Sequence, residues 1–145
     1  RPGVAQMTDV VVERILTESF LGIEPPLARR SRSGYENVAF PNSTFTRPNG
    51  MWYEVAFIGD RPWQSELGTH GRSRWSGIMQ ISICYPKGIG IQGIEDAFER
   101  IATHFYRGSF HDGVRIRRVY RSSARMYDDY YSVPVSVEWE ADLDR

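Results

Sequence analysis

Apolar residues recur at helical spacing in two stretches of the chain and alternate with polar ones in several others. In the first helical stretch, Ala5 to Leu21, Met7, Val11 and Ile15 lie one turn apart, and so do Val12, Leu16 and Phe20. Together they form a broad apolar stripe. Thr8 or Asp9 caps it, Gly22 stops it, and Pro25-Pro26 prevents continuation. The second helix is predicted over Gln92 to Tyr106. There Ile94, Ala97, Phe98, Ile101, Ala102 and Phe105 share a face, and Glu95 and Asp96 favour the N-terminal end of the dipole. Gly108 sits just beyond.

Alternation with a period of two marks strands. Met51 to Ile58 places Met51, Tyr53, Val55 and Phe57 on one face. Ser76 to Tyr85 alternates Met79, Ile81, Ile83 and Tyr85 with Gln80, Ser82 and Cys84. Val114 to Arg121 carries Val114, Ile116 and Tyr120 against Arg115 and Arg117. Tyr131 to Trp139 alternates five apolar residues with Ser132, Pro134, Ser136 and Glu138. Pro134 lacks a backbone donor, so this strand is expected at a sheet edge or with a bulge there. Glu36 to Phe40 reads as a further short strand. Between these lie the basic loop Leu27 to Tyr35, the loop Asn42 to Gly50 and a polar connection, Trp63 to Trp75. The tail from Ala141 to Arg145 is polar and is expected to fray.

Strands with one apolar face suit an antiparallel sheet backed by helices. The expected fold is therefore α+β. It is a two-layer sandwich with a mainly antiparallel sheet of four strands or so, and two helices packed on one face. One domain covering residues 1–145 is expected.

Composition narrows the function. With 18 basic and 18 acidic side chains the net charge is zero, which argues against a protein built mainly to grip DNA. Aromatics reach 13%, and Lys87 is the only lysine among the basic residues. Arginine and aromatics suit protein–protein contacts, although a GC-rich genome gives the same arginine bias. Cys84 stands alone, so neither an internal disulfide nor a cysteine zinc site is expected. No apolar run approaches the roughly 20 residues of a membrane span.

Candidate chemistry is sparse. His70, His104 and His111 are scattered without HxxxH or HExxH spacing, so no metal is expected. No GxSxG turn occurs, and Cys84 falls mid-strand, where a small buried residue fits. Gly88, Gly90 and Gly93 do spell GxGxxG between a strand and a helix. The repeated βαβ units of a dinucleotide fold are missing, and the next strand ends in Arg121 rather than an acid. A plain turn into the helix is expected, with no cofactor. Arg115, Arg117, Arg118 and Arg121 form one basic cluster, and Arg29, Arg30 and Arg32 another. DNA passing by, acidic surfaces of neighbouring subunits and a solvated face all remain open for them. Neighbouring subunits are preferred over DNA because net charge is zero.

Four ordered stretches go further. Leu67-Gly68-Thr69-His70-Gly71-Arg72-Ser73-Arg74 runs through Gly77 and Gln80 into a strand, followed by a proline–glycine turn and a helix. Gly113-Val114-Arg115-Ile116-Arg117 and Tyr131-Ser132-Val133-Pro134-Val135-Ser136-Val137-Glu138-Trp139 follow, with Trp52-Tyr53-Glu54-Val55 upstream. This set, from Glu36 to Ala141, resembles the tail terminator (tail completion) proteins of tailed bacteriophages. The resemblance implies a non-enzymatic virion protein, assembled in the host cytoplasm, that forms a homo-hexameric ring at the head-proximal end of the tail. Its implied partners are other copies of itself, the tail tube protein and a head–tail connector or stopper protein. DNA would pass through the lumen without specific binding, and no membrane is involved. The resemblance to an α/β sandwich agrees with the fold expected above.

A closed ring of identical subunits needs two unlike patches on each. Trp63, Arg72 and Arg74 on or beside the long polar connection, Arg115 and Arg117 on the basic strand, and Asp128 and Asp129 are the candidate contact residues, with Glu138 a further acidic partner. The alternatives are another connector or tube protein, and a nucleotide-binding enzyme built on the glycine turn.

Overall fold

The computed structural model describes residues 9–41, 43–59, 63–64, 73–88 and 92–143. Helix α1 (Asp9–Leu21) is followed by β1 (Arg30–Ser31), β2 (Gly34–Tyr35), β3 (Val38–Ala39), β4 (Trp52–Gly59), β5 (Trp63–Gln64) and β6 (Ser73–Pro86). Then come α2 (Gln92–His104), β7 (Phe110–His111), β8 (Val114–Arg121), β9 (Arg125–Met126) and β10 (Tyr130–Leu143). β1 and β2 form a separate hairpin, and the remaining eight strands form one sheet. Its path is β3-β4-β6-β10-β8-β7, with β5 on β6 and β9 on β10. All pairings in it are antiparallel except β3 with β4.

The expected two-layer sandwich with a four-strand sheet is thereby corrected. The described residues are mostly β, 45% strand against 22% helix, and the sheet curls into a half-barrel. The cause lies in β6 and β10. Each is 14 residues long, and they pair along their whole length, from Tyr130 opposite Pro86 to Leu143 opposite Ser73. Twist accumulates along so long a ladder and coils the sheet. Two-residue strands then extend the sheet at both ends, at β3 and β7.

One core fills the curl. From α1 it takes Val12, Leu16 and Phe20, and from α2 Ile94, Ala97, Ile101 and Phe105. The sheet contributes Tyr53 and Val55, Met79, Ile81 and Ile83, Val114 and Ile116, and the alternating series Val133, Val135, Val137, Trp139 and Ala141. Each fully buried aliphatic or aromatic side chain contributes about 1.5–3 kcal/mol. The second apolar column of α1 is weaker than the pattern suggested: Val11 and Ile15 are only half-buried, and Met7 lies outside the described residues.

The other face of the sheet is also closed at one end. Trp52, Cys84 and Ser132 are cross-strand neighbours in one row, and all are buried. Tyr130 packs on Trp52, with ring centroids 5.2 Å apart. Burial, and then the Glu54 carboxylate, pushes the Cys84 thiol up to about 12, which makes it inert at neutral pH.

Pro134 does not mark an edge. β10 is central, between β6 and β8. On the β8 side, its pairing with β9 stops at Ser132 and that with β8 starts at Val135. Pro134 falls in that gap, where its carbonyl accepts from the Ser122 amide at 2.9 Å. The bulge lies elsewhere, between Glu138 and Trp139. The tail does not fray at Ala141 either, because β10 runs on to Leu143.

Candidate functional site

Four of the contact candidates lie on one stretch of sheet, where β6, β10 and β8 run side by side. The carboxylates of β10 meet arginines of both neighbours there. Arg74 on β6 pairs with Asp142 at 3.3 Å. Glu140 is shared by Arg115 at 3.7 Å and Arg117 at 3.9 Å, and Glu138 takes Arg118 at 2.8 Å. Arg121 reaches across to Glu95 of α2 at 2.7 Å. The register explains this ladder, since Arg74 stands opposite Asp142, Arg115 opposite Glu140 and Arg118 opposite Glu138. The basic cluster read from sequence is therefore largely neutralised within its own chain. Of its members, Arg117 is held most loosely.

Trp63 enters the same region through its backbone, as β5 pairs Trp63 with Arg74. Part of the polar connection is thus strand, and β6 begins at Ser73, three residues earlier than the alternation indicated. Arg72 lies outside the described residues. The structure therefore brings Trp63, Arg74, Arg115 and Arg117 onto neighbouring strands and sets Asp128 and Asp129 apart, beyond the far end of β10.

At that far end, the turn from Tyr127 to Tyr130 is closed by the Tyr127 amide donating to the Tyr130 carbonyl at 2.9 Å. The two rings stack at 4.6 Å. Asp129 accepts from Arg47 at 2.9 Å, and the Arg47 guanidinium lies over the Tyr130 ring at 4.4 Å. Asp128 is exposed. Beside it Met126 is 69% exposed, an unusual position for a large apolar side chain.

A cavity of about 360 Å³ opens at the other end of β10, lined by Ile58, Gly77, Ile78, Arg117, Glu138 and Trp139 among others. Trp139 is 4% exposed, and its indole nitrogen finds no acceptor. A second cavity, of about 620 Å³, runs along α2 past Arg100, whose Nε and Nη2 are buried without partners.

The histidines, scattered in sequence, converge in space. The Ser19 hydroxyl lies 2.8 Å from His104 Nε2 and 2.7 Å from His111 Nδ1. Ser109 closes the chain at 3.1 Å from His111 Nε2. This network ties α1 to the last turn of α2 and to β7. Burial lowers the pKa of both rings, and His104 adds to the effect on His111. Neutral rings suit the network, because the hydroxyls can donate to one ring and accept from the other. Among the described residues no carboxylate hydrogen-bonds either ring, so neither is oriented as the base of a catalytic triad. No group of three or more potential metal ligands occurs among the described residues.

The glycine turn has a packing explanation. β6 is antiparallel to both of its long neighbours, whereas dinucleotides bind at the carboxyl ends of parallel strands. Gly93, on α2, makes room for Met51: a Cβ there would meet the Met51 sulfur at 2.9 Å. Gly88 takes a positive φ of 93° to turn the chain. Gly90 lies outside the described residues.

A solved structure at 16% identity superposes with a TM-score of 0.65, covering 96% of this chain and 99% of its own. At that identity the likeness shows the fold alone. No curated protein matches the sequence. The family model described as phage tail terminator protein matches residues 30–139, from the β1–β2 hairpin to Trp139 of β10. The chain belongs to the phage tail terminator family and is a structural component of a phage tail.

Proposed function

We propose that this chain is the tail terminator subunit itself, acting in a homo-hexameric ring that caps the head-proximal end of the tail tube. The ring stops tube growth and offers a new surface to the head–tail connector or stopper protein, while DNA passes through its lumen without specific binding. The observation that carries this reading is the family match, which runs from β1 into β10 and ends at Trp139. A growing tube exposes an upper face that the next ring of tube protein would occupy. A cap must match that face and present a different one above it. The work is binding rather than bond chemistry, and it takes place at the head-proximal end of the virion tail.

Negative-stain electron microscopy with mass photometry on the purified, concentrated protein tests the ring. Six-fold rings with a central hole are expected. Deleting the gene is expected to give tails of uncontrolled length, and tails of normal length without the protein would overturn the terminator reading. Copy number separates the remaining structural roles, because a tube protein occurs in many rings and a terminator in one.

A further inference from the structure

The main sheet ends on two half-open edges. β3 pairs with β4 only at Tyr53 and Glu54. Pro41, two residues past β3, has no N–H to carry that ladder on. At the opposite edge β7 pairs with β8 only at Val114 and Arg115, and Gly108 and Ser109 take up the backbone of Ile116. Past Glu54 on β4 and past Ile116 on β8, no strand lies alongside among the described residues.

The backbone of these open stretches points outward. The Tyr53 amide donates to the Asn37 carbonyl on the β3 side, so by alternation Phe57 also turns its N–H and C=O away from β6. The Ser122 amide donates to the Pro134 carbonyl on the β10 side, so Val119 turns its own groups away from β10. Among the described residues no hydrogen bond reaches the outward groups of Phe57 or Val119. Natural edge strands are guarded by charge, proline or a bulge. Val55-Ala56-Phe57-Ile58-Gly59 has none of these, and Ala56 and Ile58 are exposed.

The two open stretches match each other. Phe57 stands opposite Met79, Met79 opposite Val137 and Val137 opposite Val119, so Phe57 and Val119 lie at one level across the sheet. Val55 and Arg121 share a level through Ile81 and Val135, and Ala56 and Tyr120 share one through Gln80 and Ser136. Three antiparallel steps separate β4 from β8, so the two run in opposite directions. Phe57 and Val119 are both half-buried at the rim of the same core. Set side by side they make a hydrogen-bonded antiparallel pair, an aromatic against a β-branched side chain. β3 and β7 occupy opposite corners, each past the end of the other's open stretch. β8 is a poor partner for itself, because Arg117, Arg118 and Arg121 would crowd against their own copies.

We propose that β4 of one copy pairs antiparallel with β8 of the next, Phe57 opposite Val119, so that the sheet runs on from subunit to subunit. Residues 55–58 and 118–121 supply the backbone hydrogen bonds. The two edges are unlike and lie on opposite sides of the sheet, as a head-to-tail contact requires. This rests on the proposed ring and assigns its subunit contact.

Paired cysteines in the full chain test it. Ala56 and Tyr120 would fall at a non-hydrogen-bonded position of the new ladder, with Cα atoms about 4.5 Å apart and within disulfide reach. Within one chain three strand spacings, roughly 14 Å along the sheet, keep them apart. Cys84 is buried, so it does not compete for oxidation. Oxidising the Ala56→Cys/Tyr120→Cys double variant is expected to give a ladder of covalent multimers, while each single variant gives none beyond a dimer. Ile58→Lys sets a like charge opposite the next copy's Arg118, and should weaken self-association by roughly tenfold or more with unchanged circular dichroism. Rings that form normally in Ile58→Lys, with no ladder from the double variant, would overturn this contact and leave the ring standing. A covalent dimer and nothing larger from Ala56→Cys/Ile58→Cys would mean that β4 pairs with its own copy, and would overturn it too. A chain that neither crosslinks nor associates would overturn both the contact and the ring.

Discussion

The Trp139 indole lies over Gly77, its cross-strand neighbour, so closely that a Cβ on Gly77 would stand 2.8 Å from Cζ2 and 2.9 Å from the Ile58 carbonyl oxygen. An aromatic ring covering a strand glycine restores the packing that the missing side chain forfeits. One of the two close neighbours is backbone, so a rotamer change cannot relieve the crowding. Gly77→Ala should therefore destabilise the fold by about 1–3 kcal/mol, the usual range for overpacking. Urea unfolding followed by tryptophan fluorescence reads this directly. An unchanged midpoint would mean that β4 shifts freely at Ile58.

Asn37 is the buried joint that holds the β1–β2 hairpin to the sheet. Its side-chain nitrogen donates to the Leu27 carbonyl at 2.9 Å, and its side-chain oxygen accepts from the Arg29 amide at 2.7 Å. Its own carbonyl accepts from the Tyr53 amide at 2.8 Å, at the edge of β4. Asn37→Leu removes both side-chain bonds and leaves two backbone groups unpaired, which costs about 1–3 kcal/mol for each group that stays dry. The hairpin should loosen before the sheet does. Amide exchange should speed up at Arg29 and Glu36 while Ile81 and Val135 stay protected. Uniform loss of protection would show instead that the hairpin is part of the cooperative core.

Period and alternation made the long elements readable. α1 ends at Leu21 as expected, α2 begins at Gln92, and the centres of β4, β6, β8 and β10 fall where apolar residues alternate. The ends of β6 and β10 did not announce themselves, because Ser73, Arg74, Ala141 and Asp142 are polar or small and their pairing comes from the partner strand. Two-residue strands carry no period at all. One of them did leave a signal: Asp112-Gly113, both at positive φ, is a hairpin turn that joins β7 to β8. The curl was invisible because it arises from twist summed over fourteen ladder pairs. Among the contact residues, sequence identified the arginines of β8 and offered Glu138 as an acidic partner between subunits, but not its pairing with Arg118 inside the chain, and it passed over Glu140, since both glutamates sit on a strand read mainly for its apolar face. The Ser19–His104–His111 network joins residues 85 and 92 positions apart, which no local spacing encodes.

Glu140 serves two arginines at once, yet its removal should be mild for stability. Both ion pairs are long, and the arginine side chains are more than half exposed. Glu140 itself is 17% exposed, but at these lengths and with both partners in water such pairs contribute between zero and about 1 kcal/mol. Glu140→Gln should therefore shift the unfolding free energy by less than about 1 kcal/mol and abolish part of its salt dependence. It also leaves Arg115 and Arg117 uncompensated on the sheet surface. Self-association measured at low and high salt should then become more salt-sensitive than in the parent chain. A large loss of stability would mean that Glu140 is held far more tightly than distances of 3.7 and 3.9 Å imply.

The two histidines make stability depend on pH in a direction fixed by their shifts. Burial lowers both below the ordinary imidazole value of 6.5. Well above pH 6.5 the rings are neutral in the folded and the unfolded chain, and they do not tilt the balance. As pH falls below 6.5 the unfolded chain takes up protons first, so folding loses ground until the folded rings protonate as well. A first proton is tolerable, because a charged His111 can donate to both Ser19 and Ser109 while Ser19 still donates to His104. A second would set two cations on rings 5.2 Å apart and leave the Ser19 hydroxyl without an acceptor. Urea midpoints measured from pH 7.5 down to 5.5 should therefore fall steadily, with the loss beginning near 6.5. His111→Asn should flatten that slope, since one titrating ring is gone and His104 no longer has a neighbouring charge to avoid. A slope that survives in the His104→Asn/His111→Asn double variant would place the titrating group elsewhere.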